Sequence, residues 1–234
     1  MQIEAVKVRR LYLEVASQIE KLIRSGEIQP GDRLPSERNL ATSFKVSRPT
    51  IREAMIALEI AGLVEIRTGS GIYVIDKGQP DKGLVDEGPG PFEVLESRMV
   101  VEAEIAALAA ARISDEQVDE LEAALREMER EDAEGSVTER ADHSFHCVIA
   151  AASGNSALAS VVEWLWDLRN NSQISTLFHQ RVREKGVHPS LDDHRRIFNA
   201  MRARDPLRAR EAMRAHIANA IDTDIALLEA EKDT

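Results

Sequence analysis

The sequence predicts a mainly α protein in two parts, an N-terminal winged helix-turn-helix and a C-terminal all-helical bundle. Three observations predict it. Apolar residues recur at helical spacing through most of the 234 residues. Two short strand-like segments, Leu63–Arg67 and Gly71–Ile75, follow three helical ones near the N-terminus. Between the mixed half and the helical half lies DKGQPDKGLVDEGPGP, from Asp76 to Pro91, where Gly and Pro recur and no period survives. The expected division is a winged helix over 1–76, a linker over 77–91 and a helical domain over 92–234.

Leu11, Val15, Ile19 and Leu22 give the first helix its stripe, and Gly26 ends it. Ser36, after Pro35, is the expected cap of a second helix reaching about Phe44. A third runs from Ser47 to Gly62, with Ile51, Met55, Leu58 and Ile60 mostly inward and Pro49 in its first turn, where a missing N–H costs little. Thr68-Gly69-Ser70 joins the two strands as a tight hairpin. Further on, Ser114-Asp-Glu-Gln117 spells a capping box, and Asp205-Pro206 a cap with proline at the first helical position. Helices are expected near 91–112, 115–132, 137–152, 156–182, 190–203 and 206–230.

Charge is distributed unevenly. The net charge is −11, but residues 1–77 hold 12 basic and 10 acidic side chains, leaving 18 basic against 31 acidic in the remainder. This asymmetry suits a first half that meets a polyanion and a second half that repels it. No apolar run approaches the roughly 18 residues of a membrane span, the N-terminus lacks a signal-peptide core, and Cys147 is the only cysteine. A cytoplasmic protein without membrane attachment is expected.

The third helix opens Ser47-Arg48-Pro49-Thr50-Ile51-Arg52. Recognition helices place their first turn against base edges and phosphates. Arg48 and Arg52, four apart, share a face, and arginine's planar fork can pair with guanine or clamp a phosphate. Ser47 and Thr50 can bond phosphate oxygens at the positive end of the helix dipole. Arg38 adds a third fork, and Gly69 at the hairpin tip lets backbone approach a groove. Any one of these arginines can be a solvated surface charge; the set, on consecutive elements of a helix-turn-helix, points to double-stranded DNA.

GDRLPSERNLATSFKVSRPTIREAMIALEIAGLVEIRTGSGIYV resembles the DNA-binding domain of the GntR family of bacterial regulators. The resemblance implies DNA contacts at Arg38, Arg48, Thr50, Arg52, Thr68 and Gly69. It also implies a homodimer on a short palindromic operator.

All six histidines lie in the second half. Asp142 and His146, four apart, project from one helical face; His194 and His216 sit on the apolar faces of two other helices. A lone inward histidine is more often core than ligand. Three with an aspartate, on three inward faces, suit a divalent transition metal, zinc first, with nickel, manganese or iron as alternatives, and leave room for water or a carboxylate. His143, His179 and His188 lack such company and read as surface or unrelated residues.

This half resembles the FCD effector domain of the family's FadR branch, through Arg98-x-x-x-Glu102, Asp142-x-x-x-His146, Gly154-Asn155 and the two later histidines. The resemblance implies that Asp142, His146, His194 and His216 are metal ligands. GSGIYVID, PFEVLESRMVVEAEIAALAA and VREKGVHPSLDDHRRIFNAM resemble the hexuronate-responsive members, implying a sugar-acid effector whose carboxylate meets the metal. Arg98 then pairs with the effector, or forms a structural ion pair with Glu102.

A ligand-gated repressor is the expectation. A regulator for which the metal itself is the signal is the alternative. A metal-dependent hydrolase is disfavoured: there is no HExxH motif, and no general base flanks the ligands.

Overall fold

The computed structural model describes residues 10–67, 70–76, 84, 88–135, 139–184 and 190–229. The chain divides into two compact units, the first ending at Phe92 and the second spanning Glu93–Leu227.

The first unit holds α1 (Leu11–Arg24), α2 (Glu37–Phe44), α3 (Arg48–Ile60), β1 (Val64–Arg67) and β2 (Gly71–Val74). In α1 the buried stripe is Tyr12, Val15, Ala16 and Ile19, one position round from the expected one; Leu11 is exposed. Gly26, at φ +78, lets the chain turn away. The Ser36 side chain caps α2 by accepting from Asn39 N–H at 3.3 Å. The turn into α3 is made by Lys45 in the left-handed region, φ 56, after which Val46 N–H closes onto the Ala41 carbonyl. Ser47 caps α3, and Ile51, Ala54, Met55 and Leu58 are fully buried.

The hairpin pairs antiparallel, Val64 opposite Val74 and Ile66 opposite Ile72. Residues 31–34 add a further edge: Gly31 N–H reaches Val74 O, Val74 N–H reaches Asp32 O and Leu34 N–H reaches Ile72 O. The expected linker falls mostly outside the described residues, but its described end is held to this unit. Tyr12 Oη donates to Gly88 O at 3.0 Å, and Phe92 N–H donates to Glu53 Oε1, also at 3.0 Å. A Cβ on Gly90 would lie 2.2 Å from Glu53 Oε1, so only glycine fits.

The second unit is built from α4 (Pro91–Ala110), α5 (Asp115–Ala133), α6 (Arg140–Ala152), α7 (Ser156–Asn171), α8 (Gln173–Glu184), α9 (Leu191–Arg202) and α10 (Pro206–Glu229). The Ser114–Gln117 capping box forms in full, and Asp205 Oδ1 accepts from Leu207 and Arg208 N–H. Leu121, Phe145, Trp166, Phe178, Ile197 and Met201 fill the core. The helix expected over 156–182 is two helices. The chain turns extended at Ser172, ψ 129, and restarts as Thr176 N–H reaches Ser172 O. Among the described residues no helix is long and apolar enough to cross a membrane.

Candidate nucleic-acid interface and metal centre

The first turn of α3 is organised by Ser47. Its Oγ accepts from Thr50 N–H at 3.2 Å and lies 2.8 Å from Thr50 Oγ1, so the two hydroxyls support each other at the helix start. Ser47 and Arg38 are exposed, and Arg48 and Thr50 half-buried. Arg52 differs from expectation. It is 3% exposed, and its guanidinium grips Glu37 of α2, Nη2 to Oε2 at 2.6 Å and Nε to Oε1 at 3.3 Å. The pair joins α2 to α3 in the free protein. Thr68 and Gly69 lie outside the described residues.

In the second unit α6, α9 and α10 bring Asp142, His146, His194 and His216 together, all buried, with one donor atom from each within 4.8 Å of the others. His194 Nε2 is 2.8 Å and His146 Nε2 3.4 Å from Asp142 Oδ1. The outer nitrogens are held from behind. His194 Nδ1 lies 2.8 Å from the Ser190 carbonyl, which only accepts, so Nδ1 carries the proton. His146 Nδ1 hydrogen-bonds Glu102. Burial opposes ionisation of Glu102, but Arg98 and His146 outweigh it and hold the carboxyl at about 2. An ionised carboxylate can only accept, so His146 Nδ1 donates and Nε2 faces the cluster. Both imidazoles are thus set in the tautomer a metal needs. His216 Nδ1 is buried with no hydrogen-bond partner, and burial beside His194 and His146 keeps this ring far below the ordinary histidine range. Three imidazoles, two of them oriented from behind, and one carboxylate, with an orphaned nitrogen among them, fit a divalent transition metal.

A cavity of about 460 Å³ adjoins the cluster, with Asp142 and His216 in its wall. Arg98, 4% exposed, lines it too. Its Nε donates to Glu102 Oε1 at 2.6 Å and its guanidinium stacks on Trp166 at 4.1 Å. Arg98 is therefore ion-paired to Glu102 and also borders the cavity.

Sequence reasoning missed most of the polar wall, including Glu139, Arg169, His179, Asp193, Arg196 and Asn219. Arg169 is ion-paired to Glu139 and stacks on Trp166 at 5.0 Å. His179 is not a surface residue: it is 6% exposed. It sits one position from the Ile174, Phe178 and Val182 stripe of α8, and that stripe was the available signal. His143 is half-buried, its ring 4.8 Å from that of Trp166. His188 lies outside the described residues.

A winged helix-turn-helix and a helical unit with a histidine-lined cavity, carried on one chain, define a DNA-binding transcription regulator. Residues 11–74 match the family described as bacterial regulatory proteins, gntR family, and residues 93–219 match the FCD domain. The chain is 36% identical to the Exu regulon transcriptional regulator of Escherichia coli (strain K12), over 98% of this chain and 89% of that protein. It is 37% identical to the Uxu operon transcriptional regulator of the same strain, over 92% and 87%. To the HTH-type transcriptional repressor NanR of Klebsiella aerogenes it is 31% identical, over 96% and 89%. Among solved structures it is similar to Streptococcus agalactiae GntR, with 30% identity, a TM-score of 0.45 and coverage of 89% of this chain and 98% of that one. The chain belongs to the gntR family of bacterial regulators, with an FCD domain as its helical half. These relatives are regulators, not enzymes.

Proposed function

We propose that this chain is a cytoplasmic, homodimeric repressor that leaves its operator when a small sugar acid, a hexuronate, binds at a metal in the helical unit. Asp142, His146, His194 and His216 would hold the metal, which would supply a Lewis-acidic position for the effector carboxylate. Arg98 supplies a second cationic contact. The observation that carries the reading is that one cavity has both Arg98 and two members of the histidine–aspartate cluster in its wall. Its volume far exceeds what an ion and its water need, which favours an effector over the metal alone as the signal. The similarity to the Exu and Uxu regulators supports a hexuronate, and the similarity to NanR supports repression.

Operator binding by metal-loaded protein, with and without galacturonate or glucuronate, tests this. A ligand shifts the protein only by its preference for one state, so a coupling of about 1–3 kcal/mol is expected. Linkage is reciprocal, and operator DNA must weaken uronate binding by the same factor. Equal uronate affinities in calorimetric titrations of free and operator-bound protein would exclude the mechanism.

On the DNA side, Arg38, Ser47, Arg48, Thr50 and Arg52 are the proposed contacts, together with Thr68 and Gly69, which lie outside the described residues. Arg48→Ala is expected to cost about 1–3 kcal/mol of operator affinity if the fork reads a base. Titrations at matched salt measure it, and unchanged affinity would remove Arg48 from the interface.

A further inference from the structure

Glu139 stands immediately before α6 and three residues before Asp142, so it lies one turn, roughly 5 Å, along the helix from a cluster residue. Its carboxylate serves two guanidiniums, that of Arg169 and that of Arg183, whose Nη1 is 3.3 Å away. Beside this pair Arg169 Nε, in a residue only 8% exposed, makes no hydrogen bond among the described residues. The His179 ring, 6% exposed, borders the cavity. Burial, helped by Arg169 and Arg183, keeps this imidazole well below the ordinary histidine range. It is neutral, with one nitrogen to donate and one to accept. Buried polar groups without partners are costly, and a cavity wall that keeps them implies an occupant that satisfies them.

We propose that Glu139, Arg169 and His179 form a hydroxyl-reading subsite that selects polyhydroxylated sugar acids over acids offering a carboxylate alone. The proposal rests on the reading that the effector carboxylate binds at the histidine–aspartate cluster and Arg98. The donor and acceptor set suits neutral hydroxyls. Glu139 accepts O–H bonds, Arg169 donates, and His179 does one of each. An apolar ring would leave Arg169 Nε unsatisfied. Sites built on hydrogen bonds to substrate hydroxyls reject analogues lacking them far more strongly than apolar pockets discriminate by size. The one-turn separation along α6 matches a molecule whose acid group and hydroxyls sit at opposite sides of a six-membered ring.

The test uses the full chain, metal-loaded, titrated calorimetrically with galacturonate, glucuronate and tetrahydropyran-2-carboxylate, which keeps the ring and the acid but has no hydroxyls. The wild type is expected to prefer a uronate by roughly 100-fold or more. Glu139→Gln and His179→Gln are each expected to lose roughly tenfold in uronate affinity, the size of one buried hydrogen bond. Both should bind the hydroxyl-free acid as the wild type does, with unchanged metal content. Equal weakening of all the acids assigns these residues a structural role and overturns the proposal. So does uronate binding that neither variant alters. A wild type that binds the hydroxyl-free acid as tightly as a uronate defeats the subsite while the carboxylate reading stands; a wild type that binds none of the acids defeats both. Should Glu139→Gln fail to fold, His179→Gln decides alone.

Discussion

His146→Ala is expected to abolish stoichiometric metal binding and to cost the helical unit much of its thermal stability. The side chain is fully buried between Asp142 and Glu102, so its loss leaves a ligand set of three and a carboxylate, Glu102, with one partner fewer. A metal at a thousandfold its dissociation constant contributes about 4 kcal/mol, which both the variant and a chelator remove. For a unit of this size that corresponds to about 10–15 °C in unfolding temperature. Scanning calorimetry with and without chelator, alongside elemental analysis, measures it. Coincident unfolding curves and metal-free protein would defeat the assignment. Glu102→Gln tests the support behind the ligand, and a 10- to 100-fold weaker site is expected, on the order seen when such supports are removed. The pH dependence has a definite sign. Burial depresses His146, but Glu102 and Asp142 outweigh it and raise the imidazole above its ordinary value. Protons therefore compete with metal from a higher pH than at an ordinary histidine. Affinity should fall as pH falls, beginning above the usual histidine range.

Arg52→Ala should damage the fold of the first unit before it touches recognition. Removing one member of a buried, doubly hydrogen-bonded pair strands the other. Fully buried cases lose 3–5 kcal/mol, and because Glu37 retains 13% exposure about 2–3 kcal/mol is expected here. Denaturant unfolding of the variant measures this. If stability is unchanged while operator affinity drops, Arg52 leaves Glu37 and meets DNA directly. If stability falls and Glu37→Gln behaves alike, the pair is what sets α3 against α2.

The two cases show which parts of this molecule its sequence makes legible. Local signals were readable. Ser36, Ser47, Ser114 with Gln117, and Asp205 with Pro206 each mark a helix start through bonds spanning three residues or fewer. The four candidate ligands were readable because Asp142 and His146 share one face of α6 while His194 and His216 lie on apolar faces of two other helices. The burial of Arg52 against Glu37 was not readable, because that partner is fifteen residues upstream while Arg48, four back, suggested a shared outer face. The break at Ser172 carries no Gly or Pro, and only the run Asn170-Asn171-Ser172 hints at it. Arg169 was invisible for a related reason. Its partner Glu139 and the cavity it borders come together only when α6 and α7 are packed, and no single helical period encodes that.

Trp166 has an optical consequence. The chain contains two tryptophans. Trp164 is 57% exposed, whereas Trp166 is 1% exposed and lies against Arg98, Arg169 and the His146 ring, 5.6 Å away. An indole in that position emits from a dry environment and feels every charge that enters the cavity wall. With Trp164 replaced by phenylalanine, the remaining fluorescence comes from one fluorophore packed behind the cavity. Occupancy by metal or acid then becomes a change in light from the protein itself, without a label.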